Sequence, residues 1–141
     1  MLELLFLMTA GQCVPNHATT HAANVTYENV TTVMHVGDTL EVDADLDKTK
    51  IDITHNQFLR NSNCGQEGDP VHMEIVRKGD PIPQVHGSHQ RLIDDVYHTY
   101  LVKPQDMVIF VEMGTVGANR KSYDLQDFIF VIQDKSNHVA D

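Results

Sequence analysis

The run Asp43-Ala-Asp-Leu-Asp47 places three carboxylates within five residues, and clustered carboxylate oxygens are what a calcium ion takes. An EF-hand loop starting at Asp43 needs Gly at its sixth position and Glu at its twelfth, where this chain has Lys48 and Thr54, so the run reads instead as the water-facing side of a strand. His86-Gly-Ser-His89 sets two imidazoles close together, and His72 and His98 could complete a zinc or copper set if the strands that carry them are neighbours. A blue-copper site needs Cys followed closely by His and Met, yet Cys64 stands eight residues before His72. For nucleophilic chemistry the chain offers Ser62, Ser88, Ser122 and Ser136, none in a Gly-x-Ser-x-Gly turn. Asp94 and Asp95 could share acid–base work, but adjacent residues on a strand point to opposite faces. With no poised constellation, the expectation is a chain that is not an enzyme and holds no cofactor.

Asn24-Val-Thr26 and Asn29-Val-Thr31 are both N-glycosylation acceptors, set in a polar, Thr-rich stretch from His17 to Thr32 that reads as exposed. Ahead of them, residues 1–11 form an apolar run ending in small residues, the shape of a signal peptide cut near Ala10 or Gly11 and too short to span a bilayer. Glu3 stands where such a leader carries Lys or Arg, which leaves a buried N-terminal strand or helix as the competing reading. The two acceptors behind an apolar leader favour secretion. Cys13 and Cys64 are the only cysteines, and an even count in a secreted chain points to one disulfide. Its loop of about 50 residues would be worth roughly 4 kcal/mol. Two free thiols, or a Cys64 that pairs with another chain, are the alternatives. Acylation of Cys13 is disfavoured because Gln12 precedes it.

These residues need a scaffold, and the composition bounds it. The chain has 141 residues, 41% hydrophobic and 21% charged, with a mean hydropathy of −0.28, as expected of one folded domain. It has no Trp and few other aromatic residues, so aliphatic side chains must supply most of the buried area. Ten Lys and Arg against 20 Asp and Glu give a formal charge of −10. Such a surface repels nucleic-acid phosphates and anionic lipid, so neither nucleic-acid binding nor membrane insertion is expected. Nine histidines could relieve part of that charge below about pH 6.5.

From Thr32 onward the apolar period is close to two, interrupted by Gly, Pro and Asp. Leu40, Val42, Ala44 and Leu46 alternate with acids and predict a strand, and Ile51 and Ile53 predict its hairpin partner, ending near Phe58 and Leu59. Residues 60–70 read as a loop. Val71, Met73 and Ile75 predict a strand, while Pro81 and Pro83 predict an edge or connection. Val96–Val102 reads as a further strand, with one helical turn allowed over Gln90–Val96. Met107–Val111 and Phe128–Ile132 are apolar throughout, as in central strands covered on both faces. The expected fold is an all-β antiparallel sandwich of about six to eight strands. Residues 1–11 are expected to be a leader, 12–32 a polar glycosylated arm and 33–141 the single domain.

His35-Val-Gly-Asp-Thr-Leu-Glu-Val42, Asp69-Pro-Val-His-Met-Glu-Ile-Val-Arg77 and Tyr100-Leu-Val-Lys-Pro-Gln-Asp-Met-Val-Ile109 resemble, in their order, strands of a galectin-type lectin domain. The resemblance covers Thr32 to Asp134 and implies a sandwich fold. Galectins read galactosides with His-x-Asn-x-Arg, a further Asn and a stacking Trp. Here only His72 matches: Glu74 and Val76 follow it, Arg77 comes one residue late, Gly87 stands near the expected Asn and Trp is absent. The resemblance therefore does not carry galactoside binding over. An immunoglobulin-like sandwich fits Val36-Gly-Asp-Thr-Leu40 equally but lacks the Cys, Trp, Cys spacing.

The functional expectation is a secreted, non-enzymatic module that recognises an extracellular protein or glycan through its loops, with His72, Glu74, Arg77, His86 and His89 as candidate ligand-binding residues. The alternatives are a metal carrier or metal-dependent enzyme using His72, His86, His89 and His98, and a self-associating structural protein paired through an open strand edge.

Overall fold

The architecture comes from a computed structural model that describes residues 2–8, 22–55, 71–113, 125 and 128–134. Among these residues the chain is all-β with one α-helix. The strands are β1 (Leu2–Met8), β2 (Ala23–Tyr27), β3 (Val30–Met34), β4 (Thr39–Val42), β5 (Ile51–His55), β6 (Val71–Arg77), β7 (Met107–Met113) and β8 (Phe128–Asp134), and helix α1 (Gln90–Tyr100) lies between β6 and β7. They build a five-stranded sheet in the order β4-β1-β8-β7-β6 and a three-stranded sheet in the order β3-β2-β5. All pairings are antiparallel, the sandwich expected from the period-two pattern.

The five-stranded sheet is covered on both faces, which is why its inner strands are apolar at successive positions. One face presents Leu2, Leu4, Phe6, Met107, Ile109, Val111, Phe128, Phe130 and Ile132 to Ala23, Val25, Met34, Ile51 and Ile53 of the smaller sheet. The other presents Val76, Val108, Phe110, Ile129 and Val131 to Ile93 and Val96 of α1 and to Val85 and Leu101 beside it. Leu92, Ile93, Val96, Tyr97 and Tyr100 recur at spacings of three and four, the stripe by which a helix covers a sheet. Gln90 clips the extended segment before the helix to it. Its Oε1 accepts the Val85 N–H at 2.9 Å and its Nε2 donates to the Pro83 carbonyl at 2.9 Å.

Several segments differ from their sequence reading. Residues 2–8 of the expected leader form β1, between β4 and β8, with Leu4 and Phe6 fully buried. Cutting near Ala10 or Gly11 would remove this strand from inside the sheet. The expected arm, residues 12–32, contains β2 and the start of β3. Asn24, Thr26 and Thr31 lie on the outer face of the small sheet, while Ala23 and Val25 alternate inward and are buried. Val96–Tyr100 is the second half of α1, not a strand. Leu40–Leu46 and Ile51–Thr54 do not form a hairpin, because β4 pairs with β1 and β5 pairs with β2. The strand at Leu40 stops at Val42, and Ala44 is exposed. Gly37, at φ +99°, lets the chain turn from one sheet to the other while its N–H donates to the Phe6 carbonyl at 2.9 Å. Cys13, Cys64, Phe58, Leu59 and the loop 60–70 lie outside the described residues.

Three buried polar side chains brace connections. Asp106 is fully buried, and its Oδ2 accepts the N–H groups of Val102 and Lys103 at 3.1 and 2.8 Å, closing the turn into β7. Glu112 Oε1 accepts the Leu125 N–H at 2.9 Å, where Leu125 holds φ +53°. Gln133 Nε2 donates to the Tyr100 carbonyl at 3.0 Å and ties β8 to the end of α1. Phe6 stacks on Phe130 with centroids 4.5 Å apart and meets the edge of Phe128 at 5.4 Å. Replacing Phe6 with Ala should lower the unfolding free energy by about 3–5 kcal/mol in urea titration, and Asp106→Ala, which orphans two amides, by about 1–3 kcal/mol.

Candidate functional site

An open cleft of about 630 Å³ lies on the side of the molecule where β5 ends the small sheet and β6 ends the large one. It is lined by Thr26, Glu28 and Asn29 of the β2–β3 hairpin, by Lys48, Thr49 and Lys50 of the turn before β5, by Ile51 and Asp52 of β5, and by His72 and Met73 of β6. Hydroxyl, carboxylate, amide and amine groups share the lining with apolar surface from Ile51 and Met73, a mixture suited to a polar ligand.

Local geometry sets both lips. The hairpin turns through two residues, since Tyr27 pairs with Val30, and Glu28 and Asn29 hold φ of +49° and +70°. These are the left-handed conformations a type I′ turn requires; Asn adopts them readily, and Glu does so at a cost of order 1 kcal/mol. The Glu28 N–H donates to the Lys50 carbonyl at 2.9 Å and fixes this turn against the opposite lip. There, Asp47 Oδ1 accepts the Thr49 N–H at 2.8 Å and also its hydroxyl, a side-chain turn that reinforces the backbone one, in which the Lys50 N–H donates to the Asp47 carbonyl at 3.2 Å. The Thr49 bonds hold the Asp47 carboxyl below the ordinary carboxylate range. Lys50 Nζ lies 3.5 Å from Asp45 Oδ1, and that carboxylate raises the Lys50 pKa. Behind the turn, burial raises the pKa of Tyr27, whose hydroxyl oxygen accepts the Asp43 N–H at 3.0 Å.

The candidate ligand-binding residues do not converge. On β6, His72 Nε2 and Glu74 Oε1 are 2.9 Å apart, an imidazole oriented by a carboxylate. Arg77 sits on the opposite face, where its Nη2 donates to the Leu46 carbonyl at 3.2 Å. His86 and His89 bracket the turn that leads into α1, with ring centroids 6.0 Å apart, and His98 packs against Tyr97 on the helix. Among the described residues no three His, Cys, Asp or Glu side chains are grouped to hold a metal ion, so His72, His86, His89 and His98 do not form one set. Asp94 and Asp95 lie on the helix, not a strand, and turn to different partners: Gln90 donates to Asp94 at 2.9 Å and Arg91 lies 3.9 Å from Asp95. Asn24 is half-buried on the outer side of β2, and Asn29 is exposed at the hairpin tip. Of the cleft residues, only Asn29 and His72 stand among the candidate site residues that the sequence offers, with Thr26 in the first acceptor sequon. The others come from three separate segments, and nothing in their spacing announces that they meet.

Comparison with protein-family models, with curated proteins and with solved structures finds no match for this chain.

The depressed Asp47 pKa has a definite sign. Its contribution to stability is present above the ordinary carboxylate pKa and is lost as pH falls through the lower folded value. In Thr49→Ala the Asp47 titration, followed by carboxyl NMR, should move up toward the ordinary range, with acid unfolding beginning at higher pH.

Proposed function

We propose that this chain is a non-enzymatic binding module that works outside the cell and takes a polar ligand, an extracellular protein segment or a glycan, in the cleft between the β2–β3 hairpin and the start of β6. The cleft itself carries this reading. It is broad and open, and its lips are held by backbone and turn hydrogen bonds, so a ligand meets donors and acceptors already in position. Lys48 and Lys50 can receive carboxylate or sulfate groups. Asp52, Glu28 and the Thr26 and Thr49 hydroxyls can receive sugar hydroxyls or peptide amides.

An extracellular location is supported by the two acceptor sequons, which present Asn24 on the outer sheet face and Asn29 at an exposed turn. Export of this fold has to leave Leu2–Met8 on the chain, because β1 pairs on both sides. The intact mass of protein from a glycosylating host should therefore include residues 2–8, together with sugar at one or both asparagines.

A second reading rests on the His72–Glu74 pair, since a carboxylate-oriented imidazole is a common metal ligand or general base. Elemental analysis separates the two: zinc or copper near one equivalent supports a metal carrier, and less than about a tenth of an equivalent ends that reading.

Glycan arrays and surface plasmon resonance against extracellular proteins test the binding module. Lys48→Ala combined with Asp52→Ala should weaken any ligand found by about tenfold or more, while His98→Ala, on the far helix, should leave its affinity unchanged. Silence on both surfaces, or equal binding by the cleft variant, overturns the proposal.

A further inference from the structure

Among the described residues β3, β4, β5 and β6 end the two sheets. An edge strand offers unpaired N–H and C=O groups to any other chain, and proteins guard such edges with charge, Pro or bulges. Three of the four are guarded in this way: β4 carries Glu41, β5 carries Asp52, and β6 carries His72, Glu74 and Arg77. The fourth, Val30-Thr-Thr-Val-Met34, has no ionisable side chain and no Pro. Its valines are also open to solvent, Val30 at 66% and Val33 at 47%, with Val36 just beyond at 52%.

We propose that β3 is a self-association edge, at which two copies of this chain pair antiparallel, β3 against β3, about a two-fold axis at Thr32. The backbone phase supports this register. The two-residue turn closes on the Tyr27–Val30 pair, so the amide and carbonyl groups of Val30, Thr32 and Met34 face β2, and those of Thr31 and Val33 face outward. Centring the axis on Thr32 sets Thr31 opposite Val33 of the second copy, and Val33 opposite its Thr31. Each pair can then exchange both of its N–H···O=C bonds. The same register matches inner face to inner face, because residues directly opposite in an antiparallel pair point the same way. The small sheets join into one continuous sheet with both large sheets on the same side. Thr31 is already turned along its own sheet, its hydroxyl 2.8 Å from that of Thr26, and leaves the edge clear.

Charge steers a second copy to this edge and away from the other three. The net charge of −10 opposes association in general, and pairing through β4, β5 or β6 would add the local carboxylates of Glu41, Asp52 or Glu74 to that repulsion. Pairing through β3 brings none. Five residues of edge bury less than the roughly 1,600 Å² of a standard stable interface, so the dimer is reversible and concentration-dependent. It leaves the cleft open on the β5 side of the sheet.

Sedimentation velocity on the full chain from about 10 μM to about 1 mM tests this. The weight-average mass should rise from 15.9 kDa toward twice that value. Val33→Lys, which charges the edge, and Val33→Pro, which removes an outward N–H and no bond to β2, should stay monomeric while keeping a cooperative thermal transition. Thr39→Lys, on the β4 edge, should dimerise as the wild type does. A wild type that stays monomeric across the range, a dimer that survives Val33→Lys, or equal loss in Thr39→Lys overturns the proposal. If Val33→Pro does not fold, Val33→Lys with its Thr39→Lys control still decides.

Discussion

The stack of Phe6 on Phe130, closed by the edge of Phe128, joins β1 to β8, two strands from opposite ends of the chain. Everything else is arranged around the sheet this contact holds. Because β1 hydrogen-bonds to β4 on one side and β8 on the other, it connects the edge strand β4 to the three strands beyond. Because the inner strands bury both faces, the small sheet and the helix each have a continuous apolar surface to cover. Such a centre assembles only when residues far apart in sequence meet, a costly closure in chain entropy that the buried rings and aliphatic side chains must offset.

The polar features follow from that layering. The small sheet keeps one face against the core and turns the other to water, so Asn24 and Thr26 of β2 point outward while Ala23 and Val25 point inward. Its hairpin extends past the core to form one lip of the cleft, and the Asp47–Thr49 turn, pinned by a carboxylate, forms the other. Ligand contacts therefore rest on turns whose backbone geometry is set by hydrogen bonds, with the rigid sheet behind them.

What could be read from the sequence depended on whether the deciding contact was local. The apolar runs of β7 and β8 were legible because a strand covered on both faces has no polar side to show, and Pro81 and Pro83 marked a connection because they cannot donate to a ladder. Residues 2–8 carry the same continuous apolar signal, but at a chain start that signal is shared with a secretory leader, and the distinguishing partners, β4 and β8, lie far along the chain. Val96, Tyr97, Thr99 and Tyr100 favour strands by type, and their helix forms because the stripe from Leu92 to Tyr100 has a sheet face to cover. The acidic alternation through Leu46 suggested a hairpin with Ile51, yet the partners of β4 and β5 are β1 and β2. The cleft was the least legible feature, since Glu28 meets Lys48 and Asp52 through the β2–β5 pairing, and His72 joins them only through the packing of the small sheet on the large one.

Hydrogen exchange of the full chain, read amide by amide, tests the central claim that residues 2–8 are an integral interior strand. The amides of Leu4, Leu5 and Phe6 should fall in the same slow class as those of Ile109, Phe110, Phe130 and Val131, opening only with global unfolding. Fast exchange across Leu2–Met8 while β7 and β8 stay protected would contradict it.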